Sequence, residues 1–122
     1  MTFLTNKLGS SGEDHAIVFL VGKGFIIIER NYRFGKGEID IIAKEKEVLV
    51  FVEVKTRNND NYGDPVYAIT KSKKNQIIRT AQGYLYERFI SDQECRFDVI
   101  TINFDEQGEP IITHYEHAFI KE

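Results

Sequence analysis

Apolar and polar positions change rhythm along this chain, and the changes separate helices from strands. Ala16, Ile17, Phe19, Leu20 and Val21 make the first run apolar, and Gly22 and Gly24 end it, which predicts a helix up to about Val21. Gly9 and Gly12 weaken its first turn, although Ser10-Ser11-Gly12-Glu13 has capping-box spacing. Phe25 to Phe34, rich in isoleucine and aromatic residues, reads as a strand. Gly35-Lys36-Gly37 turns the chain into two further strands, Glu38 to Lys44 and Val48 to Arg57, joined by the charged turn Glu45-Lys46-Glu47. Asn58 to Asp64 is a polar loop. Thr70 is placed to cap a second helix reaching about Phe89, with Ile77, Ile78, Ala81, Tyr84 and Leu85 inward. Arg96 to Phe104 and Ile111 to Tyr115 follow as strands around a turn at Glu106 to Pro110. The predicted order is αβββαββ. It makes residues 1–122 a single α/β domain with a mixed central sheet flanked by helices.

The second and third strands carry the chemistry. The second alternates, with Ile39, Ile41 and Ala43 on one face and Glu38, Asp40 and Ile42 on the other. The third has Val50, Val52 and Val54 on one face, while the other starts with Leu49 and Phe51 and turns charged at Glu53, Lys55 and Arg57. A strand apolar on both faces is usually central and covered on both sides. Glu53 and Lys55 therefore start at the border of a buried region, where unpaired charge is costly. A hairpin closing at Lys46 and Glu47 sets Asp40 opposite or diagonal to Glu53, with Cβ atoms roughly 4.5–8 Å apart. Two carboxylates so placed repel and raise each other's pKa. A divalent cation relieves the repulsion, and oxygen ligands of this kind suit Mg²⁺ or Mn²⁺. Lys55, one pleat beyond Glu53, is positioned to hold an attacking water or to stabilise charge growing on a phosphate. The plainer reading makes Glu38, Asp40, Glu53 and Lys55 a solvated polar edge. The facing register and the two-sided burial favour the site.

Charge complicates the partner. The net charge is -3 and the pI about 5.6, so the whole chain is not an electrostatic nucleic-acid binder. Its cations are unevenly placed, with Lys71, Lys73, Lys74 and Arg79 clustered after Lys55 and Arg57. The three lysines read either as phosphate contacts or as a solvated helix face, and Arg57 is the stronger phosphate candidate because it extends the Glu53–Lys55 face. Asn31 and Arg33 either line the approach or support the sheet edge. His114 and His117 point to opposite faces of a strand, which argues against a shared zinc ion. The one cysteine, Cys95, excludes an internal disulfide. No apolar run approaches the ~20 residues of a membrane span, and Met1 to Gly12 lacks a secretory pattern. The expectation is a cytoplasmic protein with no membrane partner.

Asp40, twelve intervening residues and Glu53-Val54-Lys55 resemble the PD-(D/E)xK nuclease signature without its proline. Gly37-Glu38-Ile39-Asp40-Ile41-Ile42-Ala43 with Phe51-Val52-Glu53-Val54-Lys55-Thr56-Arg57 resembles, more specifically, the YraN-like family of bacterial predicted endonucleases. The likeness continues through Gly12-Glu13, Ala16, Asn31, Arg33, Gly63, Pro65, Ala81, Tyr84-Leu85, Arg96-Phe97-Asp98-Val99-Ile100, His114 and Ala118-Phe119. It implies a restriction-endonuclease-like fold, similar to archaeal Holliday-junction resolvases. By that analogy Asp40 and Glu53 ligate metal, the Val54 carbonyl adds a ligand, Lys55 is catalytic and Glu13 joins the site from the first helix. Glu13 has a second reading, the capping of its own helix through Ser10. Gln82 and Tyr86 have the Gln-x-x-x-Tyr spacing that some related nucleases use, against a plain reading of such tyrosines as core residues. The expected activity is Mg²⁺- or Mn²⁺-dependent hydrolysis of DNA, including structured or branched DNA. A homodimer would supply the two sites that junction cleavage requires, although no sequence feature specifies an interface. The alternative is a non-catalytic nucleic-acid-binding or protein-interaction module that keeps the nuclease fold.

Overall fold

The structure, a computed structural model, describes residues 11–57 and 69–120. Ser10 of the capping box, the loop Asn58 to Asp64 and Pro65 lie outside them. Helix α1 (Ser11–Gly22) leads into strands β1 (Ile26–Phe34), β2 (Gly37–Glu45) and β3 (Val48–Thr56). Helix α2 (Lys71–Glu87) and strands β4 (Cys95–Phe104) and β5 (Pro110–Phe119) follow. The five strands form one sheet in the order β1-β2-β3-β4-β5. Every neighbouring pair is antiparallel except β3 and β4, which run parallel because α2 carries the chain back across the sheet. Among the described residues no helix is long and apolar enough to cross a membrane.

The two-sided apolar pattern of β3 makes it the central strand. Val50 and Val52 pack under α1 with Ala16, Ile17 and Leu20. Leu49 and Phe51 pack on the other face under Ile77, Ile78, Ala81 and Tyr84 of α2. Each such side chain, buried to a few per cent exposure, contributes about 1.5–3 kcal/mol of transfer free energy. The end of α1 is set by Gly24 at φ 97°, where the Gly24 N–H donates to the Val21 carbonyl and the Phe25 N–H to Leu20, each at 3.0 Å. Thr70 caps α2, its Oγ1 accepting from the Lys73 N–H at 3.1 Å.

Three departures from the sequence reading have local causes. Ile39 does not join Ile41 and Ala43 but packs with Tyr32 on the α2 face. The β2–β3 ladder stops at Ile41↔Val52, so Ile39 follows β1 alone, beside Asn31 in a left-handed conformation (φ 51°). Helix α2 ends at Glu87, short of Phe89, which turns left-handed (φ 55°) and is exposed. Strand β5 runs past Tyr115 to Phe119 because a bulge in β5 at Glu116 to Ala118, opposite Asp98, lets pairing resume, with Val99↔Tyr115 on one side of it and Phe97↔Phe119 on the other.

That bulge is held by a fully buried carboxylate. Asp98 accepts from Arg96 Nε at 2.9 Å and Nη2 at 3.1 Å, and from the His117 N–H at 3.1 Å. His114 Nε2 lies 2.8 Å from Asp98 Oδ2, and Lys23 Nζ donates to His114 Nδ1 at 2.8 Å, which places the ring proton on the Asp98 side. Burial alone would raise the Asp98 carboxyl, but the donors from His114, Arg96 and His117 outweigh it and hold it below the usual carboxylate range. Asp98→Ala removes the shared acceptor of His114 and the His117 N–H and leaves Arg96 paired with Glu45 and Glu116, and it should cost about 3–5 kcal/mol in urea unfolding. A loss under about 1 kcal/mol would show that the bulge is held by other contacts.

Candidate active site

The site lies where β2 and β3 part. Their ladder starts at Glu45↔Val48 and runs to Ile41↔Val52, so one further step would set Asp40 against Glu53. In place of that step, Asp40 Oδ2 accepts the Val54 N–H at 2.8 Å. A side chain thus takes a backbone donor at the fork, and this fixes the Asp40 carboxylate beside Glu53. Glu53 is only 7% exposed, because it continues the face of Leu49 and Phe51 under the start of α2.

The two carboxyl groups face each other across the fork, and the negative charge of Asp40 opposes ionisation of Glu53. Burial, and then the facing Asp40 carboxylate, push Glu53 up to about 7. Burial also raises Asp40, against the Val54 N–H, with the Glu13 carboxylate adding to the rise. The pair titrates as a unit and keeps one proton close to neutrality. Lys73 Nζ stands 3.9 Å from Glu53 Oε2, and the Lys73 and Lys55 charges both favour the ionised form of Glu53 without overcoming burial. Asp98, shut from water more completely, has four donors and stays charged. Asp40 and Glu53 have too few.

Glu13 reaches the rim of this pair from α1. Residue 12 must be glycine for this approach, since a Cβ there would collide with the Thr56 side chain at the end of β3. Asn31 Nδ2 donates to both Glu13 oxygens at 3.2 and 3.3 Å, and Arg30 Nη2 lies 3.4 Å from Glu13 Oε1 and 3.1 Å from Asp14 Oδ1. Glu13 is therefore within electrostatic reach of Asp40 while its oxygens turn to Asn31 and Arg30. Among the described residues no group of three or more His, Cys, Asp or Glu side chains is arranged to hold a metal ion. Mg²⁺ needs no such cage, because it is commonly bound by one or two carboxylates and keeps several waters. Asp40 and Glu53 fit that donor set.

The other sequence candidates divide. Lys55 is half-buried beside Glu53, and Arg57 continues the strand, its N–H donating to the Ile102 carbonyl at 2.8 Å. The three lysines of α2 do not act together. Lys73 points to Glu53, Lys71 is exposed, and Lys74 lies over the Phe119 ring at 5.9 Å. Lys73 precedes the buried Ile77 by one turn, and this inner-stripe position was the readable signal. Arg33 is exposed and pairs with Glu38 at 3.6 Å, and Glu38 in turn adds negative potential at Asp40. Gln82 is not brought to the site. It is exposed on α2, about 13.5 Å of helix rise beyond Lys73, and Tyr86 is 81% exposed rather than core. Arg30 is the residue that sequence reasoning missed; nothing in the strand pattern of β1 distinguishes it. Two clefts elsewhere, one beside Gly37 and Arg79 and one beside Lys74 and Phe119, contain none of Asp40, Glu53 and Lys55.

A family model described as "Uncharacterised protein family UPF0102" matches residues 12–102. Relatives of that name are 46% identical in Chlorobium phaeobacteroides over 84% of this chain and 81% of theirs, and 42% identical in Dictyoglomus turgidum over 92% and 96%. A third, in Prosthecochloris aestuarii, is 43% identical over 100% of this chain and 90% of its own. Among solved structures, Pyrococcus furiosus SfsA in complex with Ca²⁺ is similar at a TM-score of 0.37 and 15% identity, over 85% of this chain and 60% of that one.

The raised Glu53 pKa has a defined consequence for stability. A carboxyl that titrates near 4.5 unfolded and about 7 folded binds its proton more tightly in the folded state. Stability from this group is therefore complete below about pH 4.5 and is lost as pH rises through 7. The loss is on the order of 3 kcal/mol. With chelator present, Glu53→Gln should melt above the wild type at pH 8.5 and lose that advantage towards pH 5. A Glu53→Gln protein that melts below wild type at pH 8.5 would contradict the assignment.

Proposed function

The chain belongs to the uncharacterised protein family UPF0102, and we propose that it is a divalent-cation-dependent phosphodiesterase that hydrolyses nucleic acid, with DNA as the expected substrate. The observation that carries this reading is the facing pair of half-buried Asp40 and buried Glu53, fixed at the fork by the Val54 N–H and within reach of Lys55 and Lys73. A structural ion pair would be neutralised by its partners, as Asp98 is. This pair stays short of positive charge, which is the condition that a bound cation relieves.

Mg²⁺ or Mn²⁺ at Asp40 and Glu53 would supply Lewis-acid stabilisation of a phosphoryl oxygen and a more acidic water. The chain's own residues perform the remaining work. The Val54 N–H, donating to Asp40 Oδ2, holds the Asp40 carboxylate in place beside Glu53. A bound cation would be held by the ionised form of Glu53, and affinity for the cation should accordingly rise with pH. Lys55 extends from the same strand face to orient the attacking water or to meet charge growing on the phosphate. Lys73, 3.9 Å from Glu53, would supply a positive charge towards a phosphate oxygen. The restriction-endonuclease-like fold and cleavage of branched DNA belong to this same proposal and rest on the Asp40 to Lys55 motif.

A second reading, a non-catalytic nucleic-acid-binding or protein-interaction module, is favoured by the net charge of -3. Cleavage separates the two. With millimolar Mg²⁺ or Mn²⁺, purified protein should cut at least one of duplex, nicked, flap and junction DNA or RNA. Glu53→Ala and Lys55→Ala should each lower that rate by about 10²–10⁴ with folding retained, whereas Lys46→Ala in the hairpin turn should leave it unchanged. DNA bound in a salt-dependent way with no metal-dependent cleavage would select the second reading.

A further inference from the structure

Beyond Lys55 the polar face of the sheet continues, and no side chain among the described residues hydrogen-bonds to its polar atoms Arg57 Nε, Thr101 Oγ1 and Asn103 Oδ1. Glu53 pairs with Val99, Lys55 with Thr101 and Thr56 with Ile102, so one more parallel step sets Arg57 beside Asn103. By strand alternation Glu53, Lys55 and Arg57 share one face with Val99, Thr101 and Asn103. On β4, Ile100 and Ile102 fill the opposite, α1-facing core, so the change from Val99 to Thr101 and Asn103 mirrors the change from Phe51 to Glu53. Three atoms in this strip are shut from water and have no hydrogen-bond partner among the described residues: Arg57 Nε, Thr101 Oγ1 and Asn103 Oδ1. Thr101 is 1% exposed. Such groups cost about 1–3 kcal/mol each when left unsatisfied, and neither packing nor the sheet ladder requires them here. Valine would fill the place of Thr101 without that cost.

The strip also lies at a favourable end of the sheet. β3 and β4 are the one parallel pair, and Arg57 and Asn103 stand at their carboxyl ends, where open α/β sheets take ligands. Lys55, Arg57 and Asn103 remain partly exposed, so the strip meets the surface there.

We propose that Arg57, Thr101 and Asn103 form a subsite for the nucleotide next to the scissile phosphodiester. The inference rests on the phosphodiesterase reading and places the substrate strand along the carboxyl ends of β3 and β4. The three groups define the ligand's chemistry. The Arg57 guanidinium and the Thr101 hydroxyl donate to phosphate oxygens, and the Asn103 carbonyl accepts from a sugar hydroxyl or a base amino group. Two residues of parallel strand separate Lys55 from Arg57 by about 6.6 Å, close to the spacing of neighbouring phosphates on one strand.

The test is anisotropy of labelled single-stranded DNA and RNA oligonucleotides with Ca²⁺ present, on wild type, Thr101→Val, Thr101→Ser, Asn103→Leu and Arg57→Leu. Thr101→Val and Asn103→Leu should each weaken binding roughly fivefold. Both should melt at or above the wild-type temperature, which a structural role would not allow. Thr101→Ser should bind as wild type does. Arg57→Leu should also flatten the salt dependence by about one unit of slope. Wild-type binding untouched by the Thr101 and Asn103 changes would overturn the subsite and leave the phosphodiesterase reading standing. A wild type that binds no oligonucleotide at any salt would remove both.

Discussion

Two carboxyl groups forced together at a fork in the sheet are the constraint on which the rest of this structure turns. β2 and β3 separate after Ile41↔Val52, and the Asp40 side chain takes the Val54 N–H that continued pairing would have used. That bond fixes one acid, and the burial of the central strand fixes the other. The result is a pair that cannot carry two negative charges without help. Asp98 shows that this chain can neutralise a buried acid when only structure is at stake, with a bidentate arginine, a histidine and a backbone N–H converging on it. The contrast within one sheet separates a site from a brace more firmly than either arrangement does alone.

Both helices are fitted to this fork. Gly12 lets α1 press on Thr56 and brings Glu13 to the rim, where Asn31 and Arg30 hold it. Helix α2 begins with lysines and has no acidic residue in its first turn, the reverse of what its dipole favours. Lys73 explains part of that reversal, since its charge is directed at Glu53. Layer packing and site electrostatics are thus solved by the same two elements, one on each face of β3.

Much of this was legible in the residues because strand chemistry is local. The alternation of β3 announced a central strand, and counting back from a tight turn at Lys46 and Glu47 placed Asp40 against Glu53. What was hidden depended on departures from regularity. Ile39 changes face because the ladder stops, and the length of β5 depends on a bulge that the His114 to His117 run does not advertise. Lys71, Lys73 and Lys74 looked equivalent until the phase of α2 was known, and the same phase turns Gln82 away. The family relationship adds the chain's kin and no chemistry. The unpartnered Thr101 and Asn103 were invisible to any pattern search, since only packing shows which hydroxyls and amides have been left without partners.

The raised carboxyl of Glu53 facing Asp40 is the central claim, and carboxyl carbon-13 shifts of Glu53 and Asp40, followed by NMR through a pH titration with and without Mg²⁺, test it directly. Without Mg²⁺ the Glu53 carboxyl should titrate at about 7, with a coupled response at Asp40, and saturating Mg²⁺ should move the midpoint well below that value. A Glu53 midpoint at the ordinary glutamate value, indifferent to Mg²⁺, would contradict the account.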